Sequence, residues 1–267
     1  MPAHPYCSLV GDSMHFDARA DDYARARPAY PVALWDRIRD TGLIRRGNRA
    51  LDLGAGTGQV TGPLLAAGMK VVAVEPGPRL AAALRSLHPD AEIVQARAEE
   101  YDAEEASFDL ALAATSIHWM DLDSVLPIVH RALKPDGRFL VWRNVFGDPA
   151  AASTRFREHV QRIVDRRAAP PREGDPEDVS ATSEALTRSG LFTVEDICTY
   201  RWDITLNEDQ IRRLFGTFSD WSAGEVDEAA AAARELGGTI VEHYTSWLIV
   251  LAPLRHTARR AASSGAR

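Results

Sequence analysis

The stretch Leu51-Asp52-Leu53-Gly54-Ala55-Gly56-Thr57-Gly58-Gln59 constrains this chain more than any other. A short apolar run leads into alternating glycines, and a helix-like segment follows. Glycine at alternate positions lets the backbone turn tightly and approach a ligand where a Cβ would collide. In open α/β sheets such turns lie beyond the carboxyl ends of the strands, where ligands bind. The spacing separates the candidate ligands. A dinucleotide loop calls for glycine at 54, 56 and 59, but position 59 is Gln. A phosphate-cradling P-loop ends in Gly-Lys-Ser/Thr, and none follows here. What remains is Gly-x-Gly-x-Gly with Asp52 two residues ahead of it. Glu75 closes the next strand-like run, 21 residues after Gly54. A carboxylate there accepts hydrogen bonds from both hydroxyls of a ribose. The two signals define an adenosine-type pocket. The competing reading is a structural turn plus an acid that caps the next helix.

The surrounding chain repeats a β-α-β pattern. Strands are expected at Arg49–Leu53, Lys70–Glu75, Glu92–Gln95, Phe108–Ala114 and Arg138–Trp142, with helices at Gln59–Ala67, Arg79–Leu87 and after Asp121 or Asp123. Lys134-Pro135-Asp136-Gly137 reads as the turn into the fifth strand. Such units build a parallel sheet covered by helices on both faces. After Gly147 the pattern changes. Helices are expected over 150–168, Glu208–Phe218 and Glu225–Leu236, and strands at Phe192–Leu206 and Thr239–Leu251. Residues 170–178 read as a polar, Pro-rich loop. The expectation is one domain over 15–255, with lid insertions at roughly 150–190 and 205–235, a flexible 1–14 and a disordered basic tail at 256–267.

Composition narrows the partners. Thirty-one basic against 38 acidic residues leave a net charge of −7, which argues against charge-driven DNA or RNA binding. Two cysteines, Cys7 and Cys198, are too few for a disulfide framework or a Cys-rich zinc site, and they suit a reducing cytoplasm. The apolar runs are short and broken by charge, so no membrane span is expected. Met1 to Val10 lack a basic stretch followed by a long apolar one, so no signal peptide is expected. The histidines show no metal-ligand spacing, and no Gly-x-Ser-x-Gly elbow is present.

Leu51–Gln59 followed by Glu75 resembles the class I S-adenosylmethionine-dependent methyltransferases. Phe16-Asp17, Tyr23 and Arg27-Pro28-Ala29-Tyr30-Pro31 resemble the N-terminal element of the type 11 branch, which includes trans-aconitate methyltransferase-like proteins. Ser116-Ile117-His118-Trp119-Met120-Asp121 resembles that branch's His-Trp-Phe-Asp motif, with Met120 in place of Phe. Arg131 to Gly137 resemble the turn that follows the next helix in the family at large. The resemblance implies a doubly wound, Rossmann-like, seven-stranded, mostly parallel sheet with a helical lid. It implies S-adenosyl-L-methionine as cofactor. Gly54, Ala55 and Gly56 would line its methionine part, and Asp52 would help hold its amino group. Glu75 would hold the ribose hydroxyls, Pro76 would flank the adenine, and Ala98 and Glu99 would lie beside the ring. Many relatives carry an acid where Arg97 stands. Thr115 or Ser116 would face the sulfonium, and Tyr23 and Arg27 would fold over the cofactor, with Arg27 meeting its carboxylate.

The expected chemistry is methyl transfer to a small-molecule acceptor by in-line displacement. The protein's task is then to align donor and acceptor and to exclude water. A carboxylate acceptor needs no base, whereas a hydroxyl, an amine or an acidic carbon needs a proton removed. His118 is the candidate catalytic residue, as a base or as a donor that orients the acceptor. It reads equally as half of a structural His-Trp pair. Arg143 reads as a contact to an anionic acceptor or as an ion pair to the lid. Trp202, Phe215, Phe218 and Trp221 either line an acceptor pocket or form the lid's own core. The rival reading is a catalytically silent S-adenosylmethionine-binding sensor or partner subunit. Monomer and homodimer both remain open.

Overall fold

The apolar runs become strands buried on both sides. In order they are β1 (Arg49–Leu53), β2 (Lys70–Val74), β3 (Glu92–Val94), β4 (Phe108–Ala114), β5 (Leu133–Phe146), β6 (Phe192–Asn207) and β7 (Thr239–Pro253). They form one seven-stranded sheet in the order β3-β2-β1-β4-β5-β7-β6. Only β7 runs antiparallel to its neighbours. The sheet is the doubly wound, Rossmann-like arrangement expected. The computed structural model describes residue 17 and residues 26–167, 177–218 and 220–255. The expectations for residues 1–14, Phe16, Tyr23, most of the 170–178 loop and residues 256–267 lie outside the described residues.

Successive strand residues point to opposite faces, and both faces are covered. Ala50, Val71, Leu110, Leu112, Leu140 and Trp142 pack with Leu34 and Ile38 of α1 (Val32–Asp40) and Leu64 of α2 (Thr61–Ala66). Leu51, Leu53, Val72, Val74, Phe139 and Val141 pack on the other side with Val125, Leu126 and Val129 of α4 (Leu122–Ala132). Each fully buried Leu or Val side chain stabilises this sandwich by about 1.5–3 kcal/mol. Between them in the chain, α3 (Pro78–Leu87) buries Leu80, Ala81 and Leu84.

A second core sits beyond the carboxyl edge of the sheet. β6 and β7 pair from Phe192↔Pro253 to Asn207↔Thr239, whereas β5 pairs with β7 only as far as Phe146↔Tyr244. The β6–β7 ribbon therefore projects past the sheet. It carries a cap of α5 (Arg155–Asp165), α7 (Glu208–Gly216) and α8 (Ala223–Glu235). Phe156, Val160, Leu206, Leu214, Phe215 and Ile240 fill the cap interior. Glu242, 1% exposed, ties it down by accepting from Arg157 Nη2 at 2.9 Å and Thr154 Oγ1 at 2.8 Å.

Some boundaries differ from expectation. α2 starts at Thr61 rather than Gln59, because the chain is still turning at Gly58, whose φ is +91°. β5 begins at Leu133, with 134–137 bulged out between the pairs Phe108↔Leu133 and Leu110↔Arg138. The expected 150–190 insertion divides. α5 joins the cap, but α6 (Val179–Thr187), which the pattern did not announce, buries Leu186 in the main core. α1 is likewise an addition to the expected elements.

Candidate active site

Strand order reverses between β1 and β4, so a crevice opens at their carboxyl ends. The glycine loop leaves β1 there. Gly54, Gly56 and Gly58 all take positive φ, at +67°, +58° and +91°. Gly54 N and Ala55 N donate to Val74 O at 2.8 and 3.2 Å, which pins the loop against β2. A Cβ on Gly54 would lie 2.6 Å from Ser116 Cβ, and one on Gly58 would lie 2.3 Å from the His88 ring. Glycine is required at both positions by conformation and by space.

Glu75 leaves β2 beside this loop and is 5% exposed. Its Oε2 accepts from Gly56 N and its Oε1 from Gly77 N, both at 2.9 Å. Burial raises its pKa above the ordinary carboxylate value, and the two backbone donors oppose that rise. Pro76 stands next to it, half-buried. Asp17 arrives from the N-terminal segment. Its Oδ1 accepts from Arg79 N at 2.6 Å and Leu80 N at 2.9 Å. Asp17 and Glu75 flank Gly77, where a Cβ would lie 2.7 Å from Asp17 Oδ1 and 3.0 Å from Glu75 Oε1.

Asp52 points to the α2 face and is 1% exposed. Its Oδ2 accepts from Thr61 Oγ1 at 2.7 Å. Burial pushes its pKa up to about 6, against the Thr61 hydrogen bond and with a smaller push from the Glu75 charge. After β3, Ala98 is buried at the start of a short turn. Glu99 Oε1 accepts from Asp121 N at 2.8 Å and from Arg97 Nη2 at 3.4 Å. This links the exits of β3 and β4.

Thr115 follows β4 with φ +56°, a strained value for a β-branched residue. Its N–H donates to Trp142 O at 2.8 Å, and its hydroxyl lies 3.2 Å from the Tyr30 hydroxyl. Ser116 Oγ donates to Leu53 O at 2.7 Å across the crevice floor. His118 comes next, in a short turn (Ile117–Trp119). Its ring lies 4.8 Å from the Trp119 ring, and its Nδ1 is 2.9 Å from Arg143 Nη1. Arg143 Nη2 lies 3.8 Å from Glu177 Oε1. One guanidinium thus joins the candidate His118 to an acid that precedes α6.

Arg27 joins loop to cap. Its carbonyl accepts from Gln59 Nε2 at 3.1 Å, and its Nη2 donates to Thr217 O at 3.2 Å. Its guanidinium lies 4.9 Å from the Phe218 ring centroid. Phe215 is fully buried, 5.1 Å from Phe218 and 4.4 Å from Trp221. These aromatics form the cap's own core. Trp202 stacks on Tyr244 at 4.9 Å and donates to Ser246 Oγ at 2.8 Å.

The structure brings Asp52, Gly54, Ala55, Gly56, Glu75, Pro76, Thr115 and His118 to one edge of the sheet, with Ala98 and Glu99 at the exit of β3 and Arg27 above the loop. Sequence reasoning gave no role to Asp17, Tyr30, Gln59 or Thr61. Asp17 and Tyr30 stood inside the N-terminal motif, and that was the available signal. Among the described residues, no cluster of His, Cys, Asp and Glu could hold a metal ion, and no helix is long and apolar enough to cross a membrane.

Comparison with known proteins bears on this geometry. The methyltransferase-domain family matches residues 51–141. An uncharacterized methyltransferase of Mycobacterium tuberculosis is 39% identical over 137 residues, covering 51% of this chain and 55% of that protein. The match thus spans about half the length of that relative. An uncharacterized methyltransferase-like protein of Schizosaccharomyces pombe is 30% identical over 210 residues, 78% of each chain. A solved structure from Anaeromyxobacter dehalogenans, provisionally described as a type II methyltransferase, superposes with a TM-score of 0.58 at 28% identity, over 85% of this chain and 97% of that one. A phosphoethanolamine N-methyltransferase of Haemonchus contortus, solved with phosphomonomethylethanolamine and S-adenosylhomocysteine, shares the fold with a TM-score of 0.56 at 18% identity, over 93% of this chain and 60% of that one.

Proposed function

The chain belongs to the class I S-adenosylmethionine-dependent methyltransferases, and on that premise we propose that it methylates a small-molecule acceptor by in-line displacement. The observation that carries this reading is the Glu75 carboxylate, held by Gly56 N and Gly77 N beside the glycine loop. Each carboxylate oxygen has more than one lone pair, so a backbone bond at each is compatible with a ribose hydroxyl at each. The acid, the glycine loop and the crevice between β1 and β4 fit an adenosine with an amino-acid arm.

When bound, S-adenosylmethionine supplies a methyl group on a sulfonium, and the carbon–sulfur electron pair stays on sulfur as the acceptor takes the methyl. The chain does the rest. Gly54, Ala55 and Gly56 would bring bare backbone against the methionine part. Asp52, behind the loop, would hold the amino group. Pro76, Ala98 and Glu99 would border the adenine. Thr115 would face the sulfonium from the end of β4. A guanidinium carries five N–H donors, so the Arg27 contact to Thr217 is compatible with a cofactor carboxylate as a second partner.

The acceptor would enter between the sheet edge and the cap, near His118 and Arg143. The net charge of −7 favours a small molecule over nucleic acid. Sparse cysteine favours a cytoplasmic setting. The finer branch assignment rests on Arg27 to Pro31 and Ser116 to Asp121. Parallel calorimetric titration with S-adenosylmethionine, S-adenosylhomocysteine and NAD tests the reading. Micromolar binding of the two sulfur compounds and none of NAD supports it. Silence toward both, from folded protein free of carried-over ligand, refutes it. Binding with no transfer to any acceptor in a labelled-methyl screen would favour the sensor reading.

A further inference from the structure

The geometry points to Arg143 as a positioning residue that fixes His118 as a hydrogen-bond donor rather than a general base. The two side chains come from neighbouring strand exits. β4 and β5 are in register through Ala114↔Trp142, and Arg143 follows on β5 while His118 follows β4. Arg143 Nη1 lies 2.9 Å from His118 Nδ1. A guanidinium has donors only and keeps its proton at any working pH. Nδ1 must therefore present its lone pair. An imidazolium, or the tautomer protonated at Nδ1, would set one N–H against another at that distance.

The consequence is chemical. A neutral imidazole that accepts at Nδ1 carries its single proton on Nε2. It donates from Nε2 and has no lone pair there to receive a proton. Charge and packing hold the pair in place: the Trp119 ring lies 4.8 Å from the imidazole, and Glu177 lies 3.8 Å from the other end of the guanidinium. Of the two catalytic roles His118 could fill, orienting an acceptor oxygen is the one this arrangement permits. The acceptor must then bring a lone pair that does not depend on His118 for its release. That role toward the acceptor rests on the methyl-transfer reading, but the tautomer does not.

The test is a long-range proton–nitrogen correlation spectrum of the full chain with isotope-labelled histidine, near neutral pH. His118→Gln assigns the resonance among the eight histidines. The wild type is expected to show His118 protonated at Nε2 and bare at Nδ1. Arg143→Met removes the charge-assisted bond, and the tautomer ratio shifts by about tenfold or more. Arg143→Lys, which keeps a cationic donor, retains the wild-type pattern. A proton on Nδ1 in the wild type overturns the assignment without any variant, and so does an unchanged spectrum in folded Arg143→Met. Titration of the same samples with S-adenosylhomocysteine separates the two failures. No binding with the expected tautomer sinks the methyl-transfer reading alone. Binding with the wrong tautomer sinks this one alone.

Discussion

Replacing Asp52 with asparagine should stabilise the protein at alkaline pH. Asp52 is buried, and burial raises its pKa from 3.8 to about 6. The sign follows from linkage. An acid whose folded pKa is raised contributes stability fully present below its unfolded pKa and lost as pH rises through the folded one. Above about pH 6 the buried charge therefore costs about 3 kcal/mol, from a shift of about two units at 1.36 kcal/mol each. Asparagine has no charge to bury. It keeps the Thr61 hydroxyl bond through its oxygen but puts an amide NH2 where the second carboxyl oxygen stood, at a cost of about 1 kcal/mol. The net gain is about 2 kcal/mol, or about 4–8 °C in Tm for a chain of this size. Thermal melts of both proteins from about pH 4 to about pH 8 measure it. The gain should be present at the alkaline end and largely gone at the acid end, where the folded carboxyl is protonated and the unfolded one, close to its own pKa of 3.8, is about half protonated. A pH-independent Tm difference, or an Asp52→Asn protein less stable at about pH 8, would refute the reasoning. If Asp52 serves the cofactor's amino group, the more stable variant will also bind S-adenosylmethionine less tightly.

Three further outcomes follow from the same geometry. Glu75→Ala removes the proposed ribose acceptor and leaves Gly56 N and Gly77 N without their partner, so calorimetry should find S-adenosylmethionine binding weakened at least about tenfold. Gly54→Ala places a Cβ 2.6 Å from Ser116 Cβ at a positive φ, and urea unfolding should show a loss of about 2 kcal/mol or more, with cofactor binding impaired. Arg157→Met leaves the Glu242 carboxylate buried without its guanidinium. Denaturation should then report about 3–5 kcal/mol of lost stability, and unchanged stability would mean that the cap is anchored elsewhere.

The first half of the fold was legible because its signals are local. A continuous apolar run such as Val71–Val74 is a buried parallel strand under almost any reading, and the glycine loop announces its own turn. Glu75 could be placed because a fixed spacing from the loop carries it to the next strand end. α6 was not legible. Val179–Thr187 holds mostly small and hydroxyl-bearing residues, and its helix depends on the Asp178 cap and on Leu186 entering a core built by distant strands. The lid aromatics were left between pocket and core because composition cannot say which way a ring faces. The bond between His118 and Arg143 spans 25 residues and exists only because β4 and β5 are neighbours. Tyr30 and Thr115 meet across 85 residues for the same kind of reason.

The long-range cap on α3 has a consequence for how the molecule assembles. Glycine at position 77 is the residue before the helix and offers no side chain to its first amides. Asp17 does that work from 62 residues upstream of Arg79. Closing so long a segment carries an entropy cost that grows only slowly with its length. It still has to await both ends, so the turn beside Glu75 reaches its final shape late in folding. On the ribosome the order is favourable, because the aspartate emerges first and is waiting when its helix arrives. In refolding from denaturant no such order exists. Hydrogen exchange at the Arg79 and Leu80 amides, followed during refolding, should show protection there lagging behind that of the central strands.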